Sequence, residues 1–177
     1  ERLITGDYTT EERILLDVEV VKEDGSKHYL AVNDAVVARG QLSKTIDLHL
    51  SLDGDEISKY RADGLLFATP TGSTAYSLSA GGPILAPKME CILMTPVCPH
   101  SLFSRSVLFS GESELSVHVK IPEECCCVLT IDGEKNVPVL ATDRVVIRKS
   151  DLKLKLALLH NRNFYKLLNE KLKERDF

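Results

Sequence analysis

Two stretches of this chain alternate apolar and polar side chains residue by residue, and that period confines them to half-buried strands. Ile46, Leu48, Leu50 and Leu52 alternate with Asp47, His49 and Ser51, and Leu115, Val117, Val119 and Ile121 alternate with Ser116, His118 and Lys120. A period of two sends alternate side chains to opposite faces of a strand. The first run ends at the turn Asp53-Gly54-Asp55, which predicts a partner strand over residues 56–61. Residues 14–21 and 27–32 flank a polar 22–26 segment and read as a hairpin. Further strands are predicted at 91–94, at 125–131 before the turn Asp132-Gly133, at 145–148 and at 152–158, with Pro96 and Pro99 in an irregular connection. Only the tail has helical spacing: Phe164, Leu167, Leu168 and Leu172 share a face, and Asn161 or Asn163 can cap it. The expected fold is mainly β, a β-sandwich-like domain with few short helices and a C-terminal helix.

The segment 69–83, TPTGSTAYSLSAGGP, crowds small, hydroxylic and aromatic residues as no other part of the chain does. Pro70 ends the apolar run Leu65-Leu66-Phe67-Ala68, and Gly72 removes a side chain that would keep a ligand from the backbone. Ser73 and Thr74 have the chemistry of a helix N-cap, and Gly81-Gly82-Pro83 predicts the end of that helix after about two turns. Tyr76 adds a flat apolar face with a hydroxyl. Phosphate, ribose or a base edge would suit such a loop; an ordinary capped helix between two strands is the alternative reading.

The remaining polar groups are read in the same way. Asn33-Asp34 interrupts an apolar run, either as a strand-end turn or as a pair bonded to something. Asp63-Gly64 and Asp132-Gly133 read first as plain turns. The histidines lack metal-site spacing, and there is no GxxxxGK[ST] loop. A formal net charge of -4 without a Lys/Arg cluster argues against nucleic acid or an anionic membrane as partner. No basic-then-apolar leader opens the sequence and no run is long enough to span a bilayer, so a cytoplasmic location is expected. The five cysteines, three of them consecutive at 125–127, form no CxxC pair and are expected to be buried, reduced thiols.

The run DGLLFATPTGSTAYSLSAGGPIL, residues 63–85, closely resembles the signature of NAD kinases. The resemblance extends, in family order, to AVNDAVVARG at 31–40, MTPVCPHSLFSR at 94–105 and TIDGE at 130–134. GDYTTEERILLDVEV resembles the start of the family's C-terminal domain and FYKLLNEKL its closing helix. The resemblance implies transfer of the γ-phosphoryl group of ATP, or of polyphosphate, to the 2′-hydroxyl of the adenosine ribose of NAD, giving NADP. Magnesium would accompany the donor. It also implies a separate α/β domain with a GGDG motif whose aspartate is the general base. That motif is missing from this sequence, so no catalytic residue and no metal ligand is expected here. Residues 1–157 would form the β-rich, NAD-binding and oligomerising domain of a homodimer or homotetramer, and residues 158–177 a helical segment packed on the other domain.

By the same resemblance Asn33 and Asp34 would hold ribose hydroxyls, and Asp63 an amino group of adenine or the carboxamide. Thr71, Thr74, Ala75, Tyr76, Ser77, Leu78 and Ser79 would form the dinucleotide-binding loop, with Tyr76 stacked on a base. Lys44 and Arg61 would lie near phosphate, and Glu134, where many members have glutamine, near NAD. Two other readings are a lipid or sphingoid-base kinase of the same architecture and a non-catalytic dinucleotide-binding module.

Overall fold

The computed structural model describes residues 2–40, 45–101, 104–121, 127–160 and 163–173. After a helical turn at Arg2–Thr5 (α1), the first half of the chain contributes β1 (Thr9–Lys22), β2 (Gly25–Ala31), β3 (Asp34–Arg39), β4 (Ile46–Leu52), β5 (Asp55–Ala62) and β6 (Gly64–Ala68). A 3-10 turn at Gly72–Thr74 and one α-turn at Tyr76–Ser79 (α2) follow. The second half adds β7 (Cys91–Val97), β8 (Val107–Ser110), β9 (Leu115–Lys120), β10 (Cys127–Ile131), β11 (Lys135–Val139), β12 (Arg144–Leu158) and the helix α3 (Phe164–Lys173). Among the described residues these strands form two six-stranded antiparallel sheets, ordered β2-β1-β12-β9-β4-β5 and β11-β10-β3-β6-β7-β8.

The inner faces of the two sheets share one core. Leu16, Val18, Leu48, Leu50, Val117, Val119, Val145 and Ile147 of the first sheet meet Val37, Leu65, Phe67, Ile92, Met94 and Leu129 of the second. In the first sheet β4 and β9 turn their other face outward and show the expected alternation. In the second sheet β6 is buried at every position and β7 at all but its last. The reason is a second, smaller cluster on that sheet's outer face, where Leu85 from the segment after α2 covers Val36, Leu66, Ala68, Cys91 and Leu93. Those strands therefore read as continuous apolar runs.

Several expectations are corrected. Residues 145–148 and 152–158 belong to one strand, β12, whose register against β1 slips between Ile14 and Leu16. Pro96 lies inside β7, opposite Leu65 and beyond the Cys91–Met94 stretch that β8 covers, where a missing N–H costs little. Asp34 is no turn residue but the first residue of β3. Strands β8 and β11 carry no strong period and were not expected. Asn163 caps α3, its Oδ1 accepting from the N–H groups of Tyr165 at 2.9 Å and Lys166 at 3.3 Å, whereas Asn161 lies outside the described residues. Phe164, Leu167 and Leu168 are half-buried. No described helix is long and apolar enough to cross a membrane.

Candidate functional site

The link from β2 into β3 is the short peptide Val32-Asn33-Asp34, bent at its first two residues and held from two sides. Its N–H groups point to the β10–β11 turn, where the Asp132 carboxylate accepts from Val32 at 2.8 Å, Asn33 at 2.7 Å and Asp34 at 3.0 Å. The Asp132 N–H in turn donates to the Asp34 carbonyl at 2.9 Å. The Val32 and Asn33 carbonyls face the end of β6, where the Thr69 hydroxyl donates to Val32 at 2.7 Å and the Thr69 N–H donates to Asn33 at 2.9 Å. Val32 and Asn33 lie between the strands without a ladder partner of their own, and these bonds satisfy their backbone and fix the polar side chains of Asn33 and Asp34.

Thr69 also organises the loop above. Its Oγ1 accepts from the Gly72 N–H at 3.0 Å, while the Ser73 hydroxyl donates to the Pro70 carbonyl at 2.7 Å and accepts from the Leu85 N–H at 3.0 Å. Ser73 and Thr74 are thus not N-caps: neither short helix has a side-chain cap, and the Thr74 hydroxyl donates back to the Thr71 carbonyl at 3.4 Å. Nor is there a two-turn helix, because the segment breaks at Ala75 into a 3-10 turn and a single α-turn. The Ser77 hydroxyl, buried, meets Thr95 Oγ1 at 3.2 Å, which meets Ser106 Oγ at 3.0 Å, tying α2 to β7.

Between these parts lies a groove of about 490 Å³. Asn33, Asp34, Thr130, Asp132 and Gly133 give it polar lining, Ala75 and Tyr76 come from the loop, and Val36 and Ala38 supply its apolar part. Tyr76 is 48% exposed, an aromatic face left uncovered by the fold. Asp34 is 5% exposed, and its ionisation is pushed up to about 6, first by burial and then by the Asp132 charge. Such a groove offers a stacking face, an apolar part and paired acceptors, the set that a nucleoside with free sugar hydroxyls requires.

The structure brings Asn33, Asp34, Ala75 and Tyr76 to this groove, whereas Thr71 and Thr74, bonded to each other, do not line it. Leu78 is half-buried and Ser79 exposed on α2, away from the lining. Asp63 sits at the far end of the β3–β6 pair, where its carboxylate takes the Arg39 guanidinium at 2.7 Å. Arg61 belongs to the other sheet, on β5 opposite Asp47. Glu134 is exposed in the β10–β11 turn beside Gly133, and Lys44 lies outside the described residues. The sequence reading missed Thr69 and the part played by Asp132. An Asp-Gly dipeptide signals a turn, and nothing local tells which backbone its carboxylate will meet.

The chain is similar to known proteins over almost all of its length. Residues 32–159 match the family model described as the ATP-NAD kinase C-terminal domain. An NAD kinase from Natranaerobius thermophilus is 40% identical over 173 residues, covering 97% of this chain and 60% of the relative. One from Magnetococcus marinus is 40% identical over 175 residues, covering 97% of this chain and 57% of the relative. Among solved structures, yeast NADH kinase complexed with NADH superposes with a TM-score of 0.87 at 28% identity, over 99% of this chain and 54% of that one. An NAD kinase from Archaeoglobus fulgidus in complex with ATP gives 0.78 at 26% identity, over 97% of this chain and 63% of that one. The chain thus spans about 60% of the length of the curated relatives it matches.

Proposed function

Since the chain belongs to the ATP-NAD kinase family, through that family's C-terminal domain, we propose that it is the dinucleotide-binding part of an NAD kinase. The whole enzyme would transfer the γ-phosphoryl group of ATP to the 2′-hydroxyl of the adenosine ribose of NAD, giving NADP. The observation that carries the reading is that the clamped Asn33-Asp34 pair and the half-exposed ring of Tyr76 line one groove. Asn33 and Asp34 hold sugar hydroxyls, Tyr76 stacks on a base, and Ala75 leaves room for the ligand. Thr71, Thr74, Ser77, Leu78 and Ser79 frame the loop, Lys44 serves phosphate and Glu134 approaches the dinucleotide, whereas Asp63, paired with Arg39, and Arg61, on the other sheet, lie outside this groove. The yeast neighbour was solved with NADH and the archaeal one with ATP, which supports these two classes of substrate.

Phosphoryl transfer depends chiefly on positioning and on neutralising phosphate oxygens. Magnesium would accompany the phosphate donor. The general base would come from a GGDG turn elsewhere in the enzyme, and α3 would pack on the domain that carries it. We place the enzyme in the cytoplasm as a homodimer or homotetramer built on the β domain. The test is formation of NADP from NAD and ATP by the full-length protein, with NAD titrated against it; no turnover and no NAD binding would end this reading.

A further inference from the structure

We propose that Asp132 is a positioning residue of the groove, one that acts on the dinucleotide through Asn33 and Asp34 by holding their backbone. This rests on the dinucleotide reading above. A turn alone does not need this carboxylate. Asp132 and Gly133 have φ of +49° and +73°, a conformation that Asn or Gly adopts equally well at the first position. The chain contains a comparison within itself: Asp53-Gly54, between β4 and β5, has the same left-handed pair at +50° and +94°. There, among the described residues, the carboxylate accepts one N–H, that of Glu114 at 2.9 Å. At Asp132 it accepts three in succession, and all three belong to the peptide that carries the Asn33-Asp34 pair.

The clamp also sets the field at the site. β6 presents Ala68 opposite Asp34, and the loop brings Tyr76, so Asp132 is the charged neighbour that acts on Asp34 among the described residues. Two carboxyl groups therefore share the groove, but only one of them is saturated by backbone donors. The Asp132 carboxylate is engaged by the clamp, and Asp34 is left to meet the ligand. Removing the Asp132 charge must ease the ionisation of Asp34, because like charges oppose each other.

The experiment compares the full-length protein with its Asp132→Asn, Asp132→Ala and Asp53→Ala variants. NAD affinity is measured by calorimetric titration from pH 5 to pH 9, and folding is followed by thermal melts. Asp132→Ala is expected to lose at least about tenfold in NAD affinity, as a small displacement of positioned groups does, while Asp53→Ala binds as the unchanged protein. In Asp132→Asn the acid limb of the affinity profile is expected to move to lower pH, a shift that a purely structural substitution would not produce. Should Asp132→Ala fail to fold, that limb decides alone. Unchanged affinity in a folded Asp132→Ala, or an unmoved limb in Asp132→Asn, overturns the proposal and leaves the dinucleotide reading standing. Failure of the unaltered protein to bind NAD overturns both.

Discussion

Gly72 lies so close against the Asn33 backbone that a Cβ built on it would fall 2.7 Å from the Asn33 Cα and nearer still to its carbonyl. The loop residue and the strand-end residue are therefore one unit: the TPTG turn rests on the peptide that carries Asn33 and Asp34.

Gly72→Ala should cost stability and binding together, since the atoms in the way are backbone and cannot rotate aside. Forced overpacking of this kind costs about 1–3 kcal/mol, and more where the obstacle is rigid. Urea unfolding and NAD titration of the variant check it; a folded Gly72→Ala chain of normal stability and affinity would show that the loop can lift without consequence.

Asp34 ionises at about pH 6 in the folded chain, against an ordinary value of 3.8. The folded state thus binds this proton more tightly than the unfolded state. Its contribution to stability is complete below about pH 4 and lost as the pH rises through 6. About two units correspond to roughly 3 kcal/mol. Asp34→Asn should accordingly be more stable than the natural sequence at pH 8, by up to about 3 kcal/mol, with the difference vanishing near pH 4, while its affinity for NAD falls. Denaturant melts at the two pH values decide the sign.

Tyr76 is 48% exposed, so its removal leaves the core untouched. Tyr76→Ala is expected to melt within a degree or two of the parent yet to bind NAD more weakly by about 1–3 kcal/mol, the worth of a lost stacking face and hydroxyl. Equal affinity would place the base elsewhere.

The 177-residue chain by itself should bind NAD and make no NADP, because its sequence contains no GGDG aspartate. General-base help alone is worth about 10²–10⁴ in rate. Turnover by the isolated chain at an ordinary enzyme rate would contradict the assignment.

Burial pushes the Cys127 thiol up to about 12 and raises that of Cys91, whereas Cys98 is exposed. Of these three, only Cys98 should react with iodoacetamide in the native protein, with the other two labelled after unfolding. Peptide mass mapping reads the result.

Most of the sheet framework was legible in the residues. Leu48, Leu50, Val117 and Val119 alternate because one face of their sheet meets water, and that asymmetry writes a period of two. The tail helix and its Asn163 cap follow from equally local rules. β6 and β7 gave weaker signals, since Leu85 and its neighbours cover their second face and erase the alternation. β11 has no strong pattern of its own and exists because β10 offers it an edge.

The ordered motifs by themselves pointed to the family, and that resemblance implied ligand roles for Asn33, Asp34 and the TPTGSTAY run. Tertiary structure alone decided which of these share a groove. Asp63 faces Arg39 at the far end of its strand pair, and Arg61 lies in the other sheet. Thr69 and Asp132, a hydroxyl and a turn carboxylate with unremarkable flanks, supply the clamp on the Val32-Asn33-Asp34 peptide. Local preferences are written in neighbouring residues, but a hydrogen bond between positions 99 apart in the chain depends on how the strands are ordered and brought into register.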